Sequence, residues 1–157
     1  MHGSSPSADV GRGARWVVAQ FVLMALVVVA GLFPPGWGSL VLLAAVGAAL
    51  SLLALLVFAW SWISLERSAT PFPRPRAGGR LVEAGPYGFV RHPMYSAAIL
   101  FFLGYTLATS PTALVPLAAL VVLFRNKAAL EEDLLVEAYP DYREYRERVR
   151  GAFVPRR

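Results

Sequence analysis

Two short groups of residues carry the chemistry that this sequence could perform. The first is Arg91-His92-Pro93. Proline is at home in the first turn of a helix, and the free N–H groups of a helix start favour anions. Arg91 and His92 add side-chain donors at the same point, so the group suits a carboxylate or phosphate. The plainer alternative is an interfacial arginine anchor beside a helix-starting proline. The second group is Lys127 and Glu131, followed by Glu132 and Asp133. Residues four apart share one helix face, so Lys127 and Glu131 present an ammonium and a carboxylate together. That pair suits a charged cofactor and a substrate head group; the plainer alternative is a surface ion pair of little energetic value. The chain has no cysteine, which removes disulfides, thiol catalysis and cysteine-held metals. Its two histidines, His2 and His92, make no His-rich metal site, and no metal is expected.

The elements that must hold these groups are apolar. Of 157 residues, 57% are hydrophobic and only 16% charged, where a soluble domain is nearer a quarter charged. The charges fall in three clusters, separated by the uncharged stretches 16–65 and 92–124. A membrane-crossing helix needs about 20 apolar residues. The first stretch therefore holds two spans, about Trp16–Phe33 and Ser39–Leu65, broken at the turn signal Pro34-Pro35-Gly36-Trp37-Gly38. Trp16, Trp37, Trp60 and Trp62 lie near the ends, as interface aromatics do. Ala44/Ala48 and Gly47/Ser51 are small residues at the spacing that lets membrane helices approach closely. The second stretch is short for two crossings and turns at Thr109-Ser110-Pro111-Thr112. It reads as a short helical hairpin, 93–108 and 113–126, that crosses fully or dips part way.

The expectation is an all-α integral membrane protein of about four transmembrane helices, two full spans plus a short hairpin, with a C-terminal amphipathic helix at the cytoplasmic surface. Tyr139, Tyr142 and Tyr145 would face the membrane, with Arg143, Arg146, Arg148 and Arg150 at the head groups. The divisions are a flexible N-terminus over 1–15, two transmembrane helices over 16–65, and a core over 66–157. That core comprises a loop 66–92, the hairpin 93–126 and a helical tail 127–157. The Pro/Gly-rich run 71–79 reads as a stiff connector. The first span has a basic flank, but it is longer than a signal-peptide core and no small-residue cleavage site follows, so it reads as a span. Arg12 and Arg15 precede the first span, the turns at 34–38 and 109–112 carry no charge, and the loop and tail hold the remaining basic residues. The positive-inside rule then puts both termini and the middle loop in the cytoplasm. The net charge of +5 follows from that orientation, and no nucleic-acid partner is expected, since a basic face on a soluble fold is missing.

The string Leu81-Val82-Glu83-Ala84-Gly85-Pro86-Tyr87-Gly88-Phe89-Val90-Arg91-His92-Pro93-Met94-Tyr95 resembles the signature of the isoprenylcysteine carboxyl methyltransferase family. Glu131-Glu132-Asp133-Leu134-Leu135, then Tyr142, Tyr145, Val149 and Pro155, resemble the C-terminal pattern of that family. The resemblance covers about residues 79–155. The related phospholipid methyltransferases share a similar glutamate pair, and certain sterol reductases share the membrane core.

The resemblance implies methyl transfer from S-adenosylmethionine, leaving S-adenosylhomocysteine. It implies cofactor contacts at Gly79, Arg80, Leu81, Val82, Tyr87, His92, Pro93, Met94, Tyr95 and Glu131. It implies catalytic roles for Lys127, positioning the substrate, and for Glu131, orienting the cofactor; Arg91 joins Lys127 as a substrate contact. Lys127 stands where the prenylcysteine enzymes carry arginine, and lysine is a point charge without a bidentate fork. Ser96-Ala97 departs from the glycine that many members have there. The acceptor would be a membrane lipid or lipophilic small molecule: an isoprenoid, a hydrophobic thiol or carboxylate, or a phospholipid amine. An amine acceptor would need a proton sink, and Glu132 and Tyr95 are the nearby candidates. Rival readings are a reductase using NADPH on a related core and a non-enzymatic membrane scaffold. Fourteen of the fifteen basic residues are arginine, a bias that points to a GC-rich genome and a bacterial inner membrane. Oligomeric state is open.

Overall fold

A computed structural model describes residues 6–38, 40–65 and 80–156, with side chains from Gly13 onward. The described residues are helices and turns. The α-helices are α1 (Pro6–Gly31), α2 (Val41–Leu65), α3 (Pro93–Ala108), α4 (Leu114–Ala138) and α5 (Tyr142–Arg148). Short 3-10 turns cover Gly85–Gly88 and Pro111–Ala113.

Three helices are long and apolar enough to cross a membrane: Gly13–Gly31 within α1, all of α2, and Pro111–Ala138. Side chains such as Val18, Phe21, Leu26, Leu52, Leu56 and Ile63 are exposed along α1 and α2, as lipid-facing positions are. This revises the expected pairing of two full spans with a short hairpin. At 16 residues α3 is the short member, reaching about 24 Å at 1.5 Å per residue. Its partner α4 has 25 residues and passes without a break through 126/127, where hairpin and tail were expected to divide. The apolar run ends at Phe124, but Arg125, Lys127, Ala128, Leu130 and Glu131 are good helix formers, so the backbone continues. At the other end of the chain, α1 starts at Pro6, ahead of the expected Trp16; much of the 1–15 stretch read as flexible is helical. Proline suits the first turn, and the alanines and arginines after it suit a helix. The connector 71–79 lies outside the described residues.

The helices pack as two pairs, α2 on α3 and α1 on α4. The first pairing is a backbone contact. A Cβ on Gly104 would stand 2.5 Å from both the Gly47 carbonyl oxygen and the Ser51 hydroxyl, and Ser51 donates to the Phe101 carbonyl at 3.3 Å. Of the two small-residue pairs in α2, Gly47/Ser51 forms this seam, whereas Ala44 and Ala48 are exposed. The uncharged end is tied by loop bonds. Trp37 donates its indole N–H to the Thr106 carbonyl at 2.7 Å, and Ser110 donates to Pro35 at 2.6 Å. Val27, Phe102, Leu117, Leu120 and Phe124 form the apolar core between α1, α3 and α4.

The tail differs from expectation. α5 has seven residues. Tyr142 and Tyr145 are buried with Val149 against Leu81, Leu135, Val136 and Tyr139. They face protein rather than lipid, because the 80–92 segment and the end of α4 already offer an apolar surface. Arg148 pairs with Glu83 across this contact.

Candidate functional site

The buried stripe of α4 runs Leu117, Leu120, Phe124, Lys127, Ala128 and Glu132. Its apolar part fills the core. One turn further on, the same face carries charged side chains between the start of α3, α1 and residues 149–153. Lys127 is only 1% exposed. Its ammonium donates to Oε1 of Gln20 on α1 at 2.8 Å and lies 5.2 Å from the centre of the Tyr95 ring. Glu131, one turn on, accepts a short hydrogen bond from the Tyr95 hydroxyl. Its other oxygen is 3.6 Å from His92 Nδ1.

Glu132 has separate work. Its Oε1 accepts from Arg91 Nε at 2.8 Å and stands 3.1 Å from His92 Nε2. Its Oε2 is 3.5 Å from Arg146. His92 therefore bridges two adjacent glutamates, and the proton position on its ring fixes which one receives a donation. Arg91 sends a second nitrogen, Nη1, to the carbonyls of Val149 at 2.7 Å and Arg150 at 2.8 Å. The Arg91 and His92 backbone N–H groups donate to Gly151 and Ala152, each at 2.9 Å. Ser96 adds a bond to the Phe153 carbonyl at 2.7 Å. At Gly151 a Cβ would strike the Val154 carbonyl, so only glycine allows the tail to turn so tightly there.

These bonds stack four aromatic rings. Phe124 lies on Tyr95 with centroids 4.6 Å apart and planes at 11°. His92 lies 5.6 Å from Tyr95, and Phe153 lies 5.8 Å from His92. Stacked rings at such separations add stability beyond their buried area and hold Tyr95 and His92 in fixed orientations. On the side away from this column, Tyr145 donates to the Tyr87 carbonyl at 2.8 Å. Burial lifts the Tyr87, Tyr142 and Tyr145 hydroxyls above the ordinary tyrosine range, so they remain protonated.

The structure thus gathers His92, Tyr95, Lys127 and Glu131. Pro93 is buried in the first turn of α3, and Met94 beside it is half-buried. Leu81 and Tyr87 sit with the α5 tyrosines, Val82 is half-buried and Arg80 exposed. Gly79 lies outside the described residues. Arg91 points toward Glu132 and the tail rather than toward Lys127. Its backbone N–H and that of His92 are likewise taken by tail carbonyls. The first bond of α3 runs from Ser96 N–H to the His92 carbonyl, which leaves Met94 and Tyr95 as the first-turn N–H groups.

Two contributors escape sequence reasoning. Gln20 is the one amide in the apolar run 16–33, and polar residues inside a span commonly bond across helices; that was the available signal. Phe153 carries no such signal.

Residues 42–142, most of the described fold and all four site residues, match the phospholipid methyltransferase family. The chain belongs to the phospholipid methyltransferase family. A similar protein is the cobalt-zinc-cadmium resistance protein CzcN of Cupriavidus metallidurans, 35% identical over 83 residues. That alignment takes in 52% of this chain and 38% of CzcN, so the chain spans well under half the length of this relative. The phospholipid methyltransferase match begins in α2. It therefore excludes α1, the helix that supplies Gln20.

Proposed function

We propose that this protein is an integral membrane methyltransferase that uses S-adenosylmethionine to methylate a lipophilic acceptor at the cytoplasmic face. The isoprenylcysteine-type motif and the match to the phospholipid methyltransferase family both support this reading. The observation that carries it is the meeting of Lys127, Glu131, Tyr95 and His92 where α3 begins and α4 leaves the apolar core.

The donor set fits the cofactor. The amino-acid end of S-adenosylmethionine is a zwitterion. Glu131 offers a carboxylate to its ammonium or ribose hydroxyls, while the Met94 and Tyr95 N–H groups at the start of α3 offer donors to its carboxylate. When bound, the cofactor supplies an electrophilic methyl on a sulfonium. The protein's part is then mainly positioning, since a correctly held acceptor needs no covalent enzyme intermediate. Tyr95 and His92 hold the Glu131 carboxylate in one orientation. Lys127 addresses the acceptor, which enters between helices from the lipid. Arg91 acts as the clamp for residues 149–152, and the tail excludes water so that charges act at full strength. Acceptors that remain in play are an isoprenoid, a lipid, a hydrophobic thiol or carboxylate, and a phospholipid amine.

Orientation follows from charge. Basic residues flank the site end, and the turns at 34–38 and 109–112 carry none, which supports a cytoplasmic site with both termini on that side.

The test is label transfer. Purified protein in lipid receives methyl-labelled S-adenosylmethionine and a total membrane extract, with Glu131→Gln as control. Label in the organic phase, absent from the control, is the expected result and identifies the acceptor. No label together with no binding of S-adenosylhomocysteine would overturn the proposal; binding of NADPH instead would point to a reductase.

A further inference from the structure

We propose that Gln20 on α1 is a positioning residue of the transfer site, aiming the Lys127 ammonium at the acceptor; this rests on the methyltransferase reading above. Lys127 is the single lysine of the chain, and it sits almost fully buried on a stripe whose other members are leucine, phenylalanine, alanine and, further along, Glu132. A buried ammonium needs partners, and an ionisable group within a membrane bundle marks function by default. Lysine also has a flexible stem and no fixed fork, so its direction depends on what surrounds its tip. On the α3 side those surroundings include the face of the Tyr95 ring at 5.2 Å. On the α1 side they include the Gln20 amide oxygen at 2.8 Å, from a residue 107 positions away in sequence.

Phe21 and Val22 beside Gln20 are exposed toward lipid, while Gln20 is half-buried and turned to α4. Without Lys127, an amide at this place would expose hydrogen-bonding groups to hydrocarbon, which is costly. The pair makes α1 a wall of the acceptor side of the site. That wall lies outside the phospholipid methyltransferase match over residues 42–142, so the element that steers Lys127 is supplied separately from the core that holds Glu131.

The single lysine provides a direct readout. The full chain, labelled with nitrogen-15 lysine and placed in lipid nanodiscs, should give one sheltered ammonium resonance. Gln20→Leu should shift it or broaden it away, and Gln20→Glu, which keeps an acceptor oxygen, should retain it. In label transfer with membrane extract, Gln20→Leu should raise the acceptor KM or lower turnover by roughly tenfold. Its affinity for S-adenosylhomocysteine should stay within about twofold of the wild type, and Gln20→Glu should recover most of the loss. An unchanged resonance in Gln20→Leu, unchanged acceptor kinetics in an active protein, or an equal loss of cofactor affinity would each overturn the role given to Gln20. A wild type that neither transfers label nor binds S-adenosylhomocysteine overturns the methyltransferase reading instead, and the positioning role with it.

Discussion

Glu131 and Glu132 are neighbours in sequence and point to different work, because one helical step turns a side chain by about 100°. Glu131 faces Tyr95 and the Lys127 side; Glu132 faces Arg91 and Arg146. Glu131→Gln should weaken S-adenosylhomocysteine binding at least tenfold, about 1.4 kcal/mol, as read by titration in detergent; unchanged affinity would remove it from the cofactor site. Lys127→Ala should spare that affinity and raise the acceptor KM, and a large loss of cofactor binding would show the assignment to be wrong. Glu132→Ala should act on stability instead. It leaves Arg91 without its carboxylate partner, held only by the tail carbonyls, where both side chains of the pair are 9% exposed, and breaking such a buried pair costs up to about 3–5 kcal/mol, visible as a lowered thermal midpoint. That Lys127 and Glu131 share one face of a helix was legible from spacing. Gln20 was not, since nothing local reveals which helix face a distant lysine will meet. The place of Arg91 at the entry to α3 was legible, but not its direction, which depends on carbonyls nearly 60 residues later.

At the scale of elements, the α2/α3 seam and the α5 contact offer opposite tests. Gly104→Leu forces a side chain into the Gly47 and Ser51 backbone and should cost at least about 2 kcal/mol by overpacking, measured by thermal unfolding in detergent. On α5, Tyr145 makes a buried bond, whereas the buried Tyr142 hydroxyl has no partner among the described residues. Tyr145→Phe should therefore lose about 1 kcal/mol, and Tyr142→Phe should be neutral or stabilising; the reverse order would refute the assignment of these two hydroxyls. The two N-terminal spans and the Gly47/Ser51 stripe could be read from hydropathy and residue size. The length of α4 could not, because charge ends an apolar run without ending a helix. Nor could the burial of the α5 tyrosines. An amphipathic pattern fits a membrane surface and a protein surface equally, and only the folded 80–92 segment decides between them.

Across the whole molecule, two helix pairs supply the scaffold, and residues 149–153 close the site from outside it. Arg91→Ala should loosen that closure: trypsin should cut at Arg150 and Arg156 faster than in the wild type, with a matching fall in S-adenosylhomocysteine affinity. Equal cleavage rates would show that the clamp bears no load. The closure also has a consequence for biosynthesis. Residues 149–153 follow the three described spanning helices in sequence, so the ribosome delivers them after the bundle has begun to enter the bilayer. Arg91 and His92 must wait for their carbonyl partners, and Phe153 joins the ring column last. A chain stalled before Val149 would insert its spans yet lack a finished site, so membrane integration and completion of the candidate site are successive events in the life of this protein.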